Sequence, residues 1–159
     1  MTLTLATILL AASTASAKVP VFDARQPSAI VAILTAMGAK TELAKSASGE
    51  VIIQATTPGG GFGLQFVDCD ATTKACKALA FSTTFARRGV NLGQLNSFNR
   101  DQIACRGFLA ADSTPSVMYS TVLTKSLTAE DVKLHIGVWL GCLETFAEFS
   151  KDPDGYLKP

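Results

Sequence analysis

Four cysteines and one histidine are the residues of this 159-residue chain whose types could support redox, metal or acid–base chemistry. Six residues separate Cys69 from Cys76, too wide a spacing for the C-x-x-C pair of thiol oxidoreductases. The spacing therefore favours a structural disulfide between them. Cys105 and Cys142 leave two interpretations open: a second disulfide, or burial of Cys142 as a small hydrophobic side chain. A zinc site would need more ligands nearby than a single histidine supplies.

His135 could serve as a general base or in a Cys–His pair, because catalytic partners need only be close in space. The sequence singles out no serine or acid as its partner. A half-buried histidine that hydrogen bonds to a backbone carbonyl is the simpler interpretation. No catalytic, metal-binding or cofactor-binding residue is therefore predicted. A small exported hydrolase or thiol enzyme, using His135 or a free cysteine, is kept as the alternative.

Two glycine patterns suggest a ligand or a partner. Glycines 59–61 precede a predicted strand, whereas phosphate loops lead into a helix N-terminus, so the run is predicted to be a turn. Gly137 and Gly141 form a G-x-x-x-G pattern on the polar side of the last predicted helix, beside Glu144 and Glu148. A close backbone contact there, as in a homodimer, is a hypothesis.

The first cysteine pair must be positioned by residues 62–85, which are predicted to form two strands joined by a loop. One register sets Cys69 opposite Cys76 and Asp68 opposite Lys77. A shift of one residue would expose the phenylalanines and bury polar side chains. This register places both cysteines on the face opposite the apolar side chains. The apolar face carries Phe62, Leu64, Phe66, Leu79, Phe81 and Phe85.

The remaining pattern predicts an α+β domain with an antiparallel sheet, in the order helix, four strands, helix, two strands, helix. Strands 103–111 and 117–124 pair equally well in two registers. Thr128 is predicted to cap the last helix, and Pro153 and Gly155 to stop it. The apolar face of that helix carries Val132, Ile136, Trp139, Leu140, Leu143, Phe146 and Ala147. The helices before it are predicted to begin at Pro27 and after Asn91, and the first two strands to span 41–46 and 51–57.

Residues 1–17 are predicted to be a signal peptide, because they carry no charged side chain and end in Ala15, Ser16 and Ala17. A buried N-terminal helix or a misplaced start are the alternatives. Residues 18–159 then form one domain in the periplasm or outside the cell. No other stretch is long and apolar enough to span a bilayer, so no integral membrane segment is expected after processing.

The net charge of +1 argues against a nucleic-acid partner, because neutralising phosphates needs clustered cations.

Three features follow one another along the chain: the Cys69–Cys76 segment with Leu79 and Phe81 after it, the signature Asn96, Phe98 and Asn99, and Trp139 in the terminal helix. Together and in this order they resemble the YbjN-like family of bacterial sensory transduction regulators. The resemblance covers about Ile30 to Phe149. In the family the middle signature reads Asn-x-Trp-Asn, so Phe98 stands where tryptophan is usual.

The resemblance implies a fold similar to that of type III secretion chaperones, with helices packed on an antiparallel sheet and often a dimer. It implies no catalytic residues and no cofactor. The favoured function is an exported, non-enzymatic binding or regulatory module. Its protein partner, of unknown identity, is expected at an exposed sheet face or edge, where it could add a strand.

Overall fold

Six strands and four helices make up the part of the chain that the structure, a computed structural model, describes: residues 21–46, 49–86 and 89–158. The predicted signal peptide lies outside these residues. The helices are α1 (Pro27–Ala36), α2 (Leu92–Asp101), α3 (Ala129–Lys151) and α4 (Pro153–Tyr156). The strands are β1 (Lys40–Lys45), β2 (Val51–Thr57), β3 (Gly60–Val67), β4 (Ala78–Thr84), β5 (Arg106–Leu109) and β6 (Pro115–Val122). The predicted α+β class and element order are confirmed, with α4 as an addition.

The strands form one antiparallel sheet in the order β1-β2-β3-β4-β6-β5. The first four strands form a meander, and β6 rather than β5 pairs with β4. The buried side chains of the central strands share one face, against which α1 and α3 pack. The opposite face, called here the outer face, carries small and polar side chains such as Gln54, Ser82 and Ser120. We therefore describe the fold as two layers, with its core between the sheet and the helices.

The β3–β4 pairing has the predicted register, with Leu64 opposite Phe81 and Phe66 opposite Leu79. Lys77 Nζ lies 2.8 Å from Asp68 Oδ2, so the predicted charge pair is also present. Both of these charged side chains are mostly exposed, and an exposed ion pair contributes little to stability. The buried apolar pairs therefore account for the register.

The prediction that the first cysteine pair lies on the outer face is wrong. Cys76 is fully buried in the core, and Cys69 packs against that core. Asp68 has a φ of 53°, so the alternation of strand side chains ends before Cys69. The Cα atoms of Cys69 and Cys76 are 3.7 Å apart, closer than the ~4.5–5.5 Å of directly opposed strand residues. The two cysteines belong to the loop and not to the ladder.

Two helices begin with reciprocal capping boxes. The Asn91 side chain accepts a hydrogen bond from Gln94 N, and the Gln94 side chain accepts one from Asn91 N. Thr128 and Asp131 make the same exchange at the start of α3, as the sequence predicts. Hydrogen bonds from Thr128, first from its backbone N–H and then from its hydroxyl, hold the pKa of Asp131 below its ordinary value. The charged carboxylate therefore stabilises this helix start, where it faces the positive end of the helix dipole.

In the hairpin formed by β5 and β6, the first strand is shorter than predicted. Of the predicted 103–111 segment only Arg106–Leu109 is a strand, and Ile103 is 96% exposed. The register sets Gly107 opposite Val117. A Cβ on Gly107 would lie 2.7 Å from the Phe146 ring and 2.8 Å from Leu95, so these side chains pack directly against bare backbone. This close approach, which the sequence does not show, selects the register.

The last predicted helix ends at Lys151, just before Pro153, as the sequence predicts, but a short further helix, α4, then follows. Pro153 takes the first position of α4, which suits its fixed φ and its missing N–H. The Asp152 carboxylate accepts a hydrogen bond from Gly155 N at 3.0 Å. The ring of Tyr156 then packs 5.7 Å from that of Phe149. α4 thus covers one end of the core.

Aromatic side chains fill the centre of the core. Trp139 is fully buried, with its ring 5.8 Å from the rings of both Phe62 and Phe81. Its Nε1 has no hydrogen-bond partner among the described residues. Phe98 of α2 packs 4.7 Å from Phe149, near the C-terminal end of α3. The middle of α3 is therefore held against the sheet, and its C-terminal part against α2.

Candidate functional site

A groove of about 810 Å³ runs between the second half of α3, the β2–β3 turn and the end of β4. We call it the α3 groove. Its lining residues are Met37, Thr57, Pro58, Gly59, Gly60, Gly61, Thr83, Thr84, Phe85, Leu140, Leu143, Glu144, Ala147 and Glu148. The apolar side chains form its floor, and two glutamates stand at its rim. A cleft of this size with an apolar floor is typical of a binding site.

The floor includes a part of the apolar face of α3 that the rest of the described fold does not cover completely. Of the side chains on this face, Leu140 is only half-buried and Ala147 is exposed. Met37, at the end of α1, is 43% exposed on the same groove. Apolar side chains at an interface with water favour the binding of another apolar surface.

The wall opposite α3 is largely bare backbone. The chain turns at Pro58 and Gly59, and Gly60 adopts a φ of 133°, which is open to glycine. The hydroxyls of Thr57 and Thr83 donate to the carbonyls of Gly60 (3.1 Å) and Gly61 (2.9 Å) and hold this wall in place. Of the glycines predicted to form a turn, only Gly59 lies in it, because Gly60 and Gly61 begin β3; their missing side chains leave the groove open.

The rim of the groove is acidic. Glu144 and Glu148 are exposed and lie one helical turn apart on α3. No lysine or arginine is among the described residues that line the groove. Within the described ranges the ion pairs join Asp23 to Arg25, Asp68 to Lys77 and Glu130 to Lys133, so neither rim glutamate has a cationic partner there.

His135 lies on α3 away from this groove, against β6. The Tyr119 hydroxyl is 2.5 Å from its Nδ1 and the Thr121 hydroxyl is 3.3 Å from its Nε2. The expected backbone carbonyl partner is therefore wrong: both partners are side-chain hydroxyls of β6. Burial raises the pKa of the Tyr119 phenol, which keeps it neutral. Among the described residues, both ring nitrogens are paired with hydroxyls and neither with a carboxylate, unlike the histidine of a catalytic triad.

All four cysteines are joined in disulfides. Cys69 is bonded to Cys76 with an S–S distance of 2.04 Å, and Cys105 is bonded to Cys142 across 37 residues of sequence. Cys142 is buried, as its place on the helix suggested, but it is buried as a disulfide partner. In this state no thiol is available for a thiol enzyme. Among the residues that the structure describes, no group of histidine, cysteine, aspartate and glutamate could hold a metal ion.

The signature residues lie apart from the groove. Asn96 is exposed on α2, whereas Phe98 and Trp139 are fully buried. The Asn99 side chain donates to Gly107 O (3.0 Å) and accepts from Gly107 N (2.7 Å), which ties α2 to β5. Three of the four therefore have evident packing or hydrogen-bonding roles, and no contact explains Asn96.

Strand addition at the sheet edges has little support in the geometry. Edge strand β1 exposes Lys40, Glu42 and Lys45, and edge strand β5 is four residues long. Charged and short edges are typical of edges protected from pairing. Nothing in the described chain comes within 4 Å of a Cβ built on Gly137 or Gly141, so the proposed contact at this pattern is not intramolecular. A homodimer there stays a prediction.

Sequence reasoning missed the α3 groove. It placed Leu140 and Ala147 on the apolar face of the last helix, Glu144 and Glu148 on its polar side, and the glycines in a turn. The one available signal was the width of the apolar stripe, which includes seven side chains of α3. None of the described helices is long and apolar enough to cross a membrane.

Comparison with known proteins identifies a family. The sequence pattern of the YbjN family, described as "Putative bacterial sensory transduction regulator", matches residues 26–151, which span the whole sheet and helices α1–α3. No curated protein and no solved structure matches the chain. The likeness to type III secretion chaperones therefore rests on the sequence resemblance alone. Since the match covers most of the chain and confirms the predicted resemblance, this protein belongs to the YbjN family of regulators, which is not a known enzyme family.

Proposed function

We propose that this chain is an exported, non-enzymatic module of sensory transduction that regulates by binding a protein partner. The observation that carries the proposal is the α3 groove, in which Leu140, Ala147 and Met37 remain accessible to a partner. Burial of apolar surface is the main favourable contribution to most protein association. The regulatory description of the family supports the same function.

The surroundings of His135 favour binding over catalysis. A hydrolase of the kind considered above needs a nucleophile, a base and a group that orients the base. Here both ring nitrogens of His135 face hydroxyls, and the histidine does not line the groove. Two of the threonine hydroxyls in the groove, those of Thr57 and Thr83, donate to backbone carbonyls.

Export is proposed from residues 1–17 and from the disulfides. Bonds such as Cys69–Cys76 and Cys105–Cys142 persist in oxidising compartments and are rare in the cytosol. Expression in a bacterial host and intact-mass measurement of the periplasmic protein should therefore give a chain that begins at Lys18 and carries both disulfides. A full-length chain recovered from the cytosol with free thiols would contradict export.

A photo-crosslinking amino acid placed at Ala147 tests partner binding. Ala147 is exposed within the groove, and Ser120 is also exposed, on the outer face, so Ser120 is the control position. We expect a discrete adduct from Ala147 in periplasm and none from Ser120. The absence of an adduct from both positions would contradict a binding function. So would a hydrolytic turnover that is abolished by His135→Ala.

A further inference from the structure

The charge and shape of the α3 groove indicate what kind of partner segment it can hold. Its floor is apolar, and among the described residues that line it the charged side chains are Glu144 and Glu148. At their spacing on a helix the Cβ atoms lie ~5–6 Å apart, so the two carboxylates form one local negative site. A segment that binds the floor must pass beside them.

We propose that the α3 groove binds a protein segment that combines apolar side chains with lysine or arginine. The apolar side chains would pack on Leu140, Leu143 and Ala147. The cations would pair with Glu144 and Glu148, which lack a cationic partner within the described chain. This inference rests on the proposed binding function and adds the chemistry of the partner.

Charge complementarity disfavours the other occupants. A phosphate-bearing ligand would be repelled by the two carboxylates, because like charges at an interface oppose association. A symmetric contact of this groove with the same groove on a second copy would place an acidic rim against an acidic rim. None of the lining residues in the described part of the chain supplies the cations that such a self-complementary interface needs. A segment of another protein that carries both apolar and basic side chains complements the apolar floor and the acidic rim.

The attraction would be local to the groove. The net charge of the chain is +1, so the protein as a whole does not attract cationic peptides. A preference for a cationic peptide can then be assigned to individual carboxylates by substitution. Salt should weaken it, because exposed charges are screened.

Binding of two synthetic peptides to the purified, oxidised protein tests the proposal. Both are fluorescein-labelled, with leucines at the same helical positions; one carries lysines at the polar positions and the other glutamates. Fluorescence anisotropy should show that the leucine–lysine peptide binds at least about tenfold more tightly than the leucine–glutamate peptide. The lysines would form ion pairs with the two carboxylates, and even modest ion pairs together give a difference in affinity of this size. Equal binding of both peptides would overturn the proposed cation preference.

Three variants locate the binding. The double variant Glu144→Gln, Glu148→Gln should weaken the leucine–lysine peptide by about tenfold. Ala147→Trp should abolish binding by filling the floor, and all three substituted positions are exposed enough for the fold to tolerate the changes. Glu42→Gln on β1 is the control, because it removes an exposed carboxylate that does not line the groove. Unchanged binding in the double variant and in Ala147→Trp would overturn the site.

The two proposals fail in different ways. If a native partner crosslinks at Ser120 but not at Ala147, the chain binds a partner and the groove is not its site. If a partner crosslinks at Ala147 but its affinity is unchanged by Glu144→Gln and Glu148→Gln, the groove binds without a cation preference. Circular dichroism of each variant verifies that the fold is intact.

Discussion

Replacing Cys105 and Cys142 together by alanine should lower the free energy of unfolding by about 4 kcal/mol. The bond joins the residue before β5 to the middle of α3 across 37 residues of sequence. A cross-link over a longer loop removes more conformational entropy from the unfolded chain. Alanine suits both positions, because both cysteines are buried and a serine hydroxyl would lose its hydration there.

The double variant Cys69→Ala, Cys76→Ala is the matched comparison. The Cys69–Cys76 bond joins residues only 7 positions apart, so we expect its removal to lower the free energy of unfolding by about 2 kcal/mol. Urea unfolding of the two double variants without reductant measures both losses. Equal losses, or a larger loss for the short loop, would contradict the loop-length argument. Peptide mapping that joins a cysteine of one pair to one of the other would contradict both pairings.

Phe98→Ala should lower the free energy of unfolding by about 3–5 kcal/mol, the usual range for a buried aromatic side chain. Phe98 is fully buried between elements that are distant in sequence. Its ring lies 5.2 Å from Phe146, 4.7 Å from Phe149 and 6.1 Å from Tyr156. The truncation would leave a cavity bounded by three rings and the backbone of β5, which cannot all move inward.

Phe108→Ala provides the control for this prediction. Phe108 is 40% exposed on the outer face of β5. It directly follows Gly107, against whose backbone Phe98 packs. Its truncation should change the stability by about 0.5 kcal/mol, as is usual for surface positions. Denaturant unfolding of both variants, with the slope of the transition compared, tests the pair. Similar losses for Phe98 and Phe108 would mean that the aromatic cluster around α2 does not stabilise the fold.

Much of the fold is predictable because it depends on residues that are near each other in the chain. The capping boxes at Asn91 and Thr128 require only a side chain and a backbone group three residues apart. The β3–β4 register follows from the alternation of phenylalanine and leucine with small side chains on two strands joined by a short loop. Local pattern and tertiary structure agree at these places.

The candidate site was not predictable in the same way. The sequence shows that Leu140 and Ala147 belong to the apolar stripe of α3, but burial depends on which element lies above each side chain. The sheet and α1 cover one side of the stripe and leave the other open beside the β2–β3 turn. Whether that strip is core or binding surface is thus a property of packing between distant segments.

The sequence by itself determined the class of the fold, the order of its elements up to α3, the register of the β3–β4 pair and the family to which the chain belongs. Only the tertiary structure decided that β6 lies beside β4, that Cys105 meets Cys142, that Cys76 faces the core and that His135 contacts Tyr119. The physical reason is the range of the interactions. Periodicity and capping depend on neighbours along the chain, whereas these contacts join segments whose relative positions result from the packing of the whole core.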